Sequence, residues 1–111
     1  MKKRSKKDAL LGTLDLLILR VLNSGEKYGY SIAKNIQLLS SDALSVQKGS
    51  LYPALHRLEN EGFIKAKWKT DESDKPMKTY SLTAAGRKQM EAEVAHWEAT
   101  SSAINMVIKN T

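Results

Sequence analysis

Leu14, Leu17, Ile18, Val21 and Leu22 recur at helical spacing, and the pattern predicts a first helix from about Thr13 to Asn23. Leu16 and Leu19 lie on its other side, so this helix is apolar nearly all round and needs cover on nearly every face. Thr13 suits the N-cap, Asp15 places negative charge in the first turn, and Gly25 is a natural stop. Asp15 reads as a dipole or surface partner rather than a catalyst. A second helix opens at Tyr28-Gly29-Tyr30 and runs to about Leu39, with Ile32, Ile36 and Leu39 inward. Ser40-Ser41-Asp42 breaks it. Leu44 and Val46 then alternate with Ser45 and Gln47, which suggests a very short strand. A third helix is predicted from about Ser50 to Glu61, ending at Gly62. Its inner face is Leu51, Ala54, Leu55 and Leu58, and Pro53 falls near enough to its start to be tolerated. The opposite face carries Gly49, Tyr52, Pro53, His56, Arg57 and Asn60, a polar, aromatic and basic surface free to contact something.

Phe63 to Lys69 alternates as a strand, with Ile64, Ala66 and Trp68 on one side and Lys65, Lys67 and Lys69 on the other. Trp68 is expected to pack inside. Residues 70–76 form a polar turn, and Met77 to Leu82 is the returning strand, with Tyr80 and Leu82 inward, so the pair is a β-hairpin. Thr83 caps a last helix reaching about Lys109. Met90, Val94, Trp97, Ile104 and Ile108 form a coiled-coil-like stripe along it, with Ser101 in the one gap. So long a helix needs a partner. The economical choice is the first helix together with its copy in a second subunit. Leu16, Leu19, Met90, Val94, Trp97, Ile104 and Ile108 are accordingly the expected homodimer interface. The fold class that follows is mainly α with a small β-hairpin (α+β): a winged helix-turn-helix with a long C-terminal dimerisation helix. Residues 1–9 are a basic, flexible tail, 10–82 the winged helix-turn-helix, and 83–111 the dimerisation helix.

Composition narrows the function. One domain fits 111 residues, and 41% hydrophobic residues exclude a disordered chain. Without cysteine there are no disulfides and no thiolate metal sites, and two histidines are weak grounds for any metal, so neither metal nor cofactor is expected. Asp15 and Arg20 interrupt the apolar run Ala9 to Leu22, which is therefore neither a signal peptide nor a membrane span; cytoplasm is the default. No triad, phosphate loop or paired-carboxylate pattern points to an enzyme. The net charge of +6 invites a polyanion. Lys2, Lys3, Arg4, Lys6 and Lys7 supply most of it, either as a solvated start or as an arm that touches phosphates. Lys48, Arg57, Lys65, Lys67 and Lys69 make a second basic region.

A helix-turn-helix followed by a hairpin presents its third helix to the DNA major groove and its wing to the neighbouring backbone or minor groove. Lys48 and Arg57 suit phosphates or guanine edges, and Ser50, Tyr52, His56 and Asn60 suit hydrogen bonds. Backbone N–H groups near Tyr28 to Ser31 open a helix and suit a phosphate. Double-stranded DNA is the expected partner. The alternative is a winged helix used as a protein-docking module without duplex binding.

Four segments resemble the PadR family of bacterial transcriptional regulators: Gly12 to Leu19 (GTLDLLIL), Tyr28 to Ile32 (YGYSI), Gly49 to Glu59 (GSLYPALHRLE) and Tyr80 to Gly86 (YSLTAAG). They stand in family order and span roughly residues 10 to 100, and the single helix after them is similar to the smaller PadR subtype. The resemblance implies a dimeric repressor on a near-palindromic operator, of a kind often released by a small aromatic or drug-like effector. It implies that Tyr52 contacts the DNA backbone, that Lys48, Gly49 and Ser50 lie at the groove with Pro53, His56 and Arg57 on the same helix, and that Tyr28, Gly29 and Tyr30 set the second helix against DNA. The resemblance also implies wing contacts at Lys69, Lys75 and Lys78; the acidic tip, Asp71, Glu72 and Asp74, departs from it and repels phosphates, which favours the flanking lysines. Two roles stand for Trp97: an aromatic filling the dimer seam, or a stacking platform for a flat effector.

Overall fold

The structure is a computed structural model and describes residues 6–70 and 72–111, with side chains from Thr13 onward. The expected arm at Lys2, Lys3 and Arg4, the side chains of Lys6 and Lys7, and Asp71 lie outside what it describes. Four helices and three strands follow in the order α1 (Lys6–Leu22), β1 (Lys27–Tyr28), α2 (Gly29–Leu39), α3 (Lys48–Asn60), β2 (Ile64–Thr70), β3 (Pro76–Leu82) and α4 (Ala84–Asn110). This is the expected mainly helical winged helix-turn-helix with a long C-terminal helix.

The apolar faces read from the sequence meet in one core. Leu14, Ile18, Leu19, Val21 and Leu22 of α1 pack with Ile32 and Ile36 of α2, with Leu51, Ala54, Leu55 and Leu58 of α3, and with Ile64, Tyr80 and Met90. Leu39, expected inward, is exposed; it is the last residue of α2, one turn beyond Ile36. α1 begins at Lys6, so Thr13 is inside the helix and does not cap it, and Lys6 to Ala9 are helix rather than tail.

The sheet has the order β1-β3-β2, all antiparallel. Its third strand is Lys27–Tyr28 and not the expected one at 44–46, which has no regular structure. Val46 nevertheless packs against the core. Ile64, Ala66 and Trp68 pair with Leu82, Tyr80 and Lys78, and these six share the inner face. Lys65, Lys67 and Lys69 pair with Ser81, Thr79 and Met77 on the outer face.

α3 begins at Lys48, two residues earlier than expected, capped by the backbone of Gln47. Pro53 therefore sits in the second turn and leaves the Gly49 carbonyl without its i+4 donor. At the far end Phe63 N–H reaches the Leu58 carbonyl at 3.0 Å and Gly62 N–H the Glu59 carbonyl at 3.0 Å, with Gly62 at φ +81°. This doubly bonded left-handed stop turns the chain from α3 into β2.

Thr83 caps α4 as expected: its hydroxyl accepts from Gly86 N–H at 3.0 Å and donates to the Gly62 carbonyl at 2.7 Å. At 1.5 Å per residue, the 27 residues of α4 run for about 40 Å. That length makes the molecule 58 Å long and under 30 Å in its other dimensions. Only the first turns of α4 reach the core. Leu19 and Met90 are buried by their own chain, which corrects their expected place in an interface: neither needs a partner's cover. Leu16 and Val94 are half-buried, and Trp97, Ile104 and Ile108 are exposed.

Candidate nucleic-acid interface

α3 is held by four apolar residues on one side, so its other side is left to solvent. Lys48, Gly49, Tyr52, Pro53 and His56 are all exposed and Ser50 is half-buried. The position of Tyr52 has a specific cause in α2. Gly29 is buried, and a Cβ built on it would lie 3.1 Å from Tyr52 Cε1 and 3.2 Å from the Tyr52 hydroxyl. Glycine at 29 thus lets the Tyr52 ring rest on the first turn of α2. Tyr28 precedes that turn without a side-chain cap, and its ring stacks on Tyr30 at 5.8 Å. The first N–H groups of α2 therefore open beside Tyr52 without a cap from the Tyr28 side chain.

Arg57 is where the structure departs furthest from expectation. Its Nη2 donates to Asp15 of α1, and its Nε lies 3.9 Å from Glu61. The guanidinium braces α3 to α1 and is no longer a free group for phosphate or guanine. The partner expected to be a dipole or surface residue is thus the other half of a tertiary ion pair. Burial pushes the Asp15 carboxyl above its ordinary 3.8, outweighing the pull of Arg57, and the charges of Glu93 and Glu61 push the same way. The folded chain then holds a proton on Asp15 at a pH where the unfolded chain has lost it. The contribution of this group to stability is full below 3.8 and is lost as pH rises through the higher folded value. A ¹³C-detected carboxyl titration is expected to place the Asp15 midpoint above 3.8; a midpoint below it means that the Arg57 pair outweighs burial.

The wing also divides differently from its sequence. Lys69, expected to hold phosphate, lies on the outer face and donates to Glu26, whose carboxyl this bond holds below its ordinary range. It is therefore already engaged. Lys75 is exposed at the entry to β3, next to Asp74, which has φ +62°. Lys78 lies on the inner face with its Nζ 5.4 Å from the centre of the Trp68 ring. Trp68, expected inside the hairpin, is 68% exposed. It is four residues beyond Ile64, roughly 13 Å along the strand at 3.3 Å per residue, where the core has ended. Trp68 and Lys78 instead form one wall of a groove of about 480 Å³, with Tyr30, Tyr52 and His56 on the other side and Glu59 and Tyr80 between.

This helix, its braced neighbour and the hairpin occur together in known proteins. The sequence profile described as the transcriptional regulator PadR-like family matches residues 18–92, well over half of the chain. The chain belongs to the PadR-like family. A solved transcriptional regulator from Clostridium thermocellum is similar to this PadR-like chain at 34% identity and a TM-score of 0.81, over 89% of this chain and 96% of that one. A PadR family transcriptional regulator from Eggerthella lenta superposes with a TM-score of 0.78 at 28% identity, over 93% and 88%. An uncharacterised protein of Lysinibacillus sphaericus is 25% identical over 104 residues, 94% of this chain and 95% of its own length. The PadR-like chain is thus a transcriptional regulator by family. Among the described residues no group of three His, Asp or Glu stands close enough to hold a metal ion, and no helix is long and apolar enough to cross a membrane.

Three features of the site escaped the sequence: the Gly29–Tyr52 contact, the Arg57–Asp15 brace and the exposure of Trp68. The first two join residues 23 and 42 positions apart, which no local pattern signals.

Proposed function

We propose that this PadR-like regulator binds duplex DNA as a homodimer and represses transcription from a near-palindromic operator. The observation that carries the reading is α3: an apolar face filled by its own core, and an opposite face of Lys48, Ser50, Tyr52 and His56 with no intramolecular task large enough to occupy it. In this reading α3 enters the major groove. Tyr52 and the open N–H groups of α2 hold one phosphate, with Tyr28, Gly29 and Tyr30 setting that turn in place. Gly49 and Pro53 let the helix approach closely, and Lys75 and Lys78 serve the wing. Arg57 and Lys69 are left out of the contact set because each already holds a carboxylate.

The dimer is supported by α4. Trp97, Ile104 and Ile108 remain uncovered by their own chain, and Leu16 and Val94 border the same stripe. A hollow of about 380 Å³ beside Trp97, lined by Leu16, Leu17, Arg20, Leu44 and Val94, supports a flat aromatic effector seated between subunits.

The test is Tyr52→Ala against a labelled duplex from upstream of its own gene, at matched salt. Losing one hydrogen bond to a charged phosphate is expected to weaken binding about tenfold or more, with the fold retained because the inner face of α3, Leu51, Ala54, Leu55 and Leu58, is unchanged. Wild-type affinity in the variant removes α3 from the interface. Absence of duplex binding by the wild type favours the protein-docking alternative.

A further inference from the structure

We propose that the groove between α3 and the hairpin is a binding site for an organic cation, an aryl-substituted quaternary ammonium, and that its occupancy competes with DNA. The site itself stands apart from the duplex-binding reading above; the competition rests on that reading.

The groove has aromatic walls and an acidic floor. Tyr30 and Tyr52 stand on one side, Trp68 on the other, and Tyr80 lies between them with Glu59. Glu59 is half-buried, and among the described residues no lysine, arginine or histidine makes an ion pair with it. Its charge is felt inside the groove: burial first, and then the Glu59 carboxylate, hold the Tyr80 phenol above its ordinary 10.0. The floor thus carries a negative charge without a counter-cation. Lys78 shows what the walls accept. Its ammonium sits 5.4 Å from the centre of the exposed Trp68 ring and makes no ion pair with Glu59. A cation over an indole face is attracted by the ring quadrupole. Lys78 is therefore a tethered competitor, which a free cation displaces.

The same features select the class of cation. A volume of about 480 Å³ lies within the range of small-ligand pockets. A metal ion asks for several oxygen or nitrogen ligands, and the floor offers one carboxylate. A primary ammonium is strongly hydrated and loses part of that water on entry. A quaternary ammonium is weakly hydrated and is attracted by each ring face it meets. An aryl group attached to it fills the remaining length by stacking on Trp68 or Tyr30. An anion of the same shape is repelled by Glu59. Tyr52 belongs both to this groove and to the free face of α3. An occupant that reaches Tyr52 stands where the duplex reading places a phosphate, so ligand and DNA exclude each other. The groove shares no residue with the hollow beside Trp97.

The chain has two tryptophans, one in the groove and one at the hollow. Full-length protein labelled with 5-fluorotryptophan therefore reports the two places as separate ¹⁹F resonances, assigned with Trp68→Phe. Benzyltrimethylammonium is expected to shift the Trp68 resonance to saturation, and uncharged benzyl alcohol to need about tenfold more. Glu59→Gln is expected to weaken the ammonium about threefold or more. Lys78→Gln is expected to tighten it severalfold, because the tethered competitor is gone. With the ammonium at about ten times its midpoint, against sodium chloride at equal concentration, the upstream duplex is expected to bind about tenfold more weakly. A Trp68 resonance that stays put, a shift confined to Trp97, or equal midpoints for the two probes overturns the cation site. Unchanged duplex affinity at saturation overturns the competition. If the wild type binds no duplex while the ammonium shifts Trp68, the duplex reading falls and the cation site stands.

Discussion

Alanine at position 86 is expected to cost this fold about 3 kcal/mol or more, the upper range for overpacking a built-up site. A Cβ built on Gly86 falls 1.9 Å from the carbonyl oxygen of Phe63 and 2.9 Å from Leu82 Cδ1. The leucine methyl has room to turn away, but the carbonyl does not. It accepts from Thr83 N–H at 3.1 Å, and Phe63 is fixed on both sides. Before it, Gly62 closes the end of α3 in a left-handed turn; after it, Ile64 enters the sheet opposite Leu82. Relief would require α4 to lift from the hairpin and lose the Thr83 cap. The Gly86→Ala midpoint of thermal unfolding is expected to fall by roughly 12–24 °C, at about 4–8 °C per kcal/mol for a domain near this size. A shift within a few degrees shows that α4 moves freely on β3, contrary to the packing described.

Ile104→Asp with Ile108→Asp is expected to convert a dimer into a monomer. Both residues lie on the part of α4 that its own chain does not cover, at 52% and 65% exposure. Their replacement leaves the core of the winged helix untouched, so the effect on monomer folding is small. In a dimer they bring four carboxylates into an apolar seam with no cation from the same stripe, a burden no such interface bears. Sedimentation at micromolar concentration is expected to give the dimer mass for the wild type and the monomer mass for the variant. Because a dimer couples two half-sites through an effective concentration, loss of pairing is expected to weaken binding to the upstream duplex by 10²-fold or more. A wild-type monomer, or a variant that still pairs, places the interface elsewhere.

What was legible in the sequence was legible locally. The inner face of α3 stood out because Leu51, Ala54, Leu55 and Leu58 obey one helical period, and the α4 cap because Thr83 follows the alternation of β3 directly. The start of α3 was not legible: the helix begins on Lys48 and Gly49 behind a glutamine that caps by backbone alone. β1 is two residues long, too short for any alternation to register. Burial was misjudged where an element outruns its cover. Trp68 has the correct face of the hairpin but lies past the end of the core, whereas Leu19 and Met90 are covered by their own chain although their spacing suited a seam. Arg57 shows the same limit for charge. Its helical face is exposed by periodicity, yet Asp15 arrives from another helix to hold it.

Duplex binding by the homodimer is tested most directly by its salt dependence, measured by fluorescence anisotropy on the upstream duplex and on an unrelated one of equal length. Two protomers are expected to bind each upstream site, and log K to fall linearly as log salt rises, by about 0.9 for each phosphate neutralised. The upstream duplex is expected to keep an advantage of about 10³-fold or more at physiological salt. Equal affinity for the two duplexes at every salt concentration, or no binding at physiological salt, contradicts sequence-specific binding by this dimer.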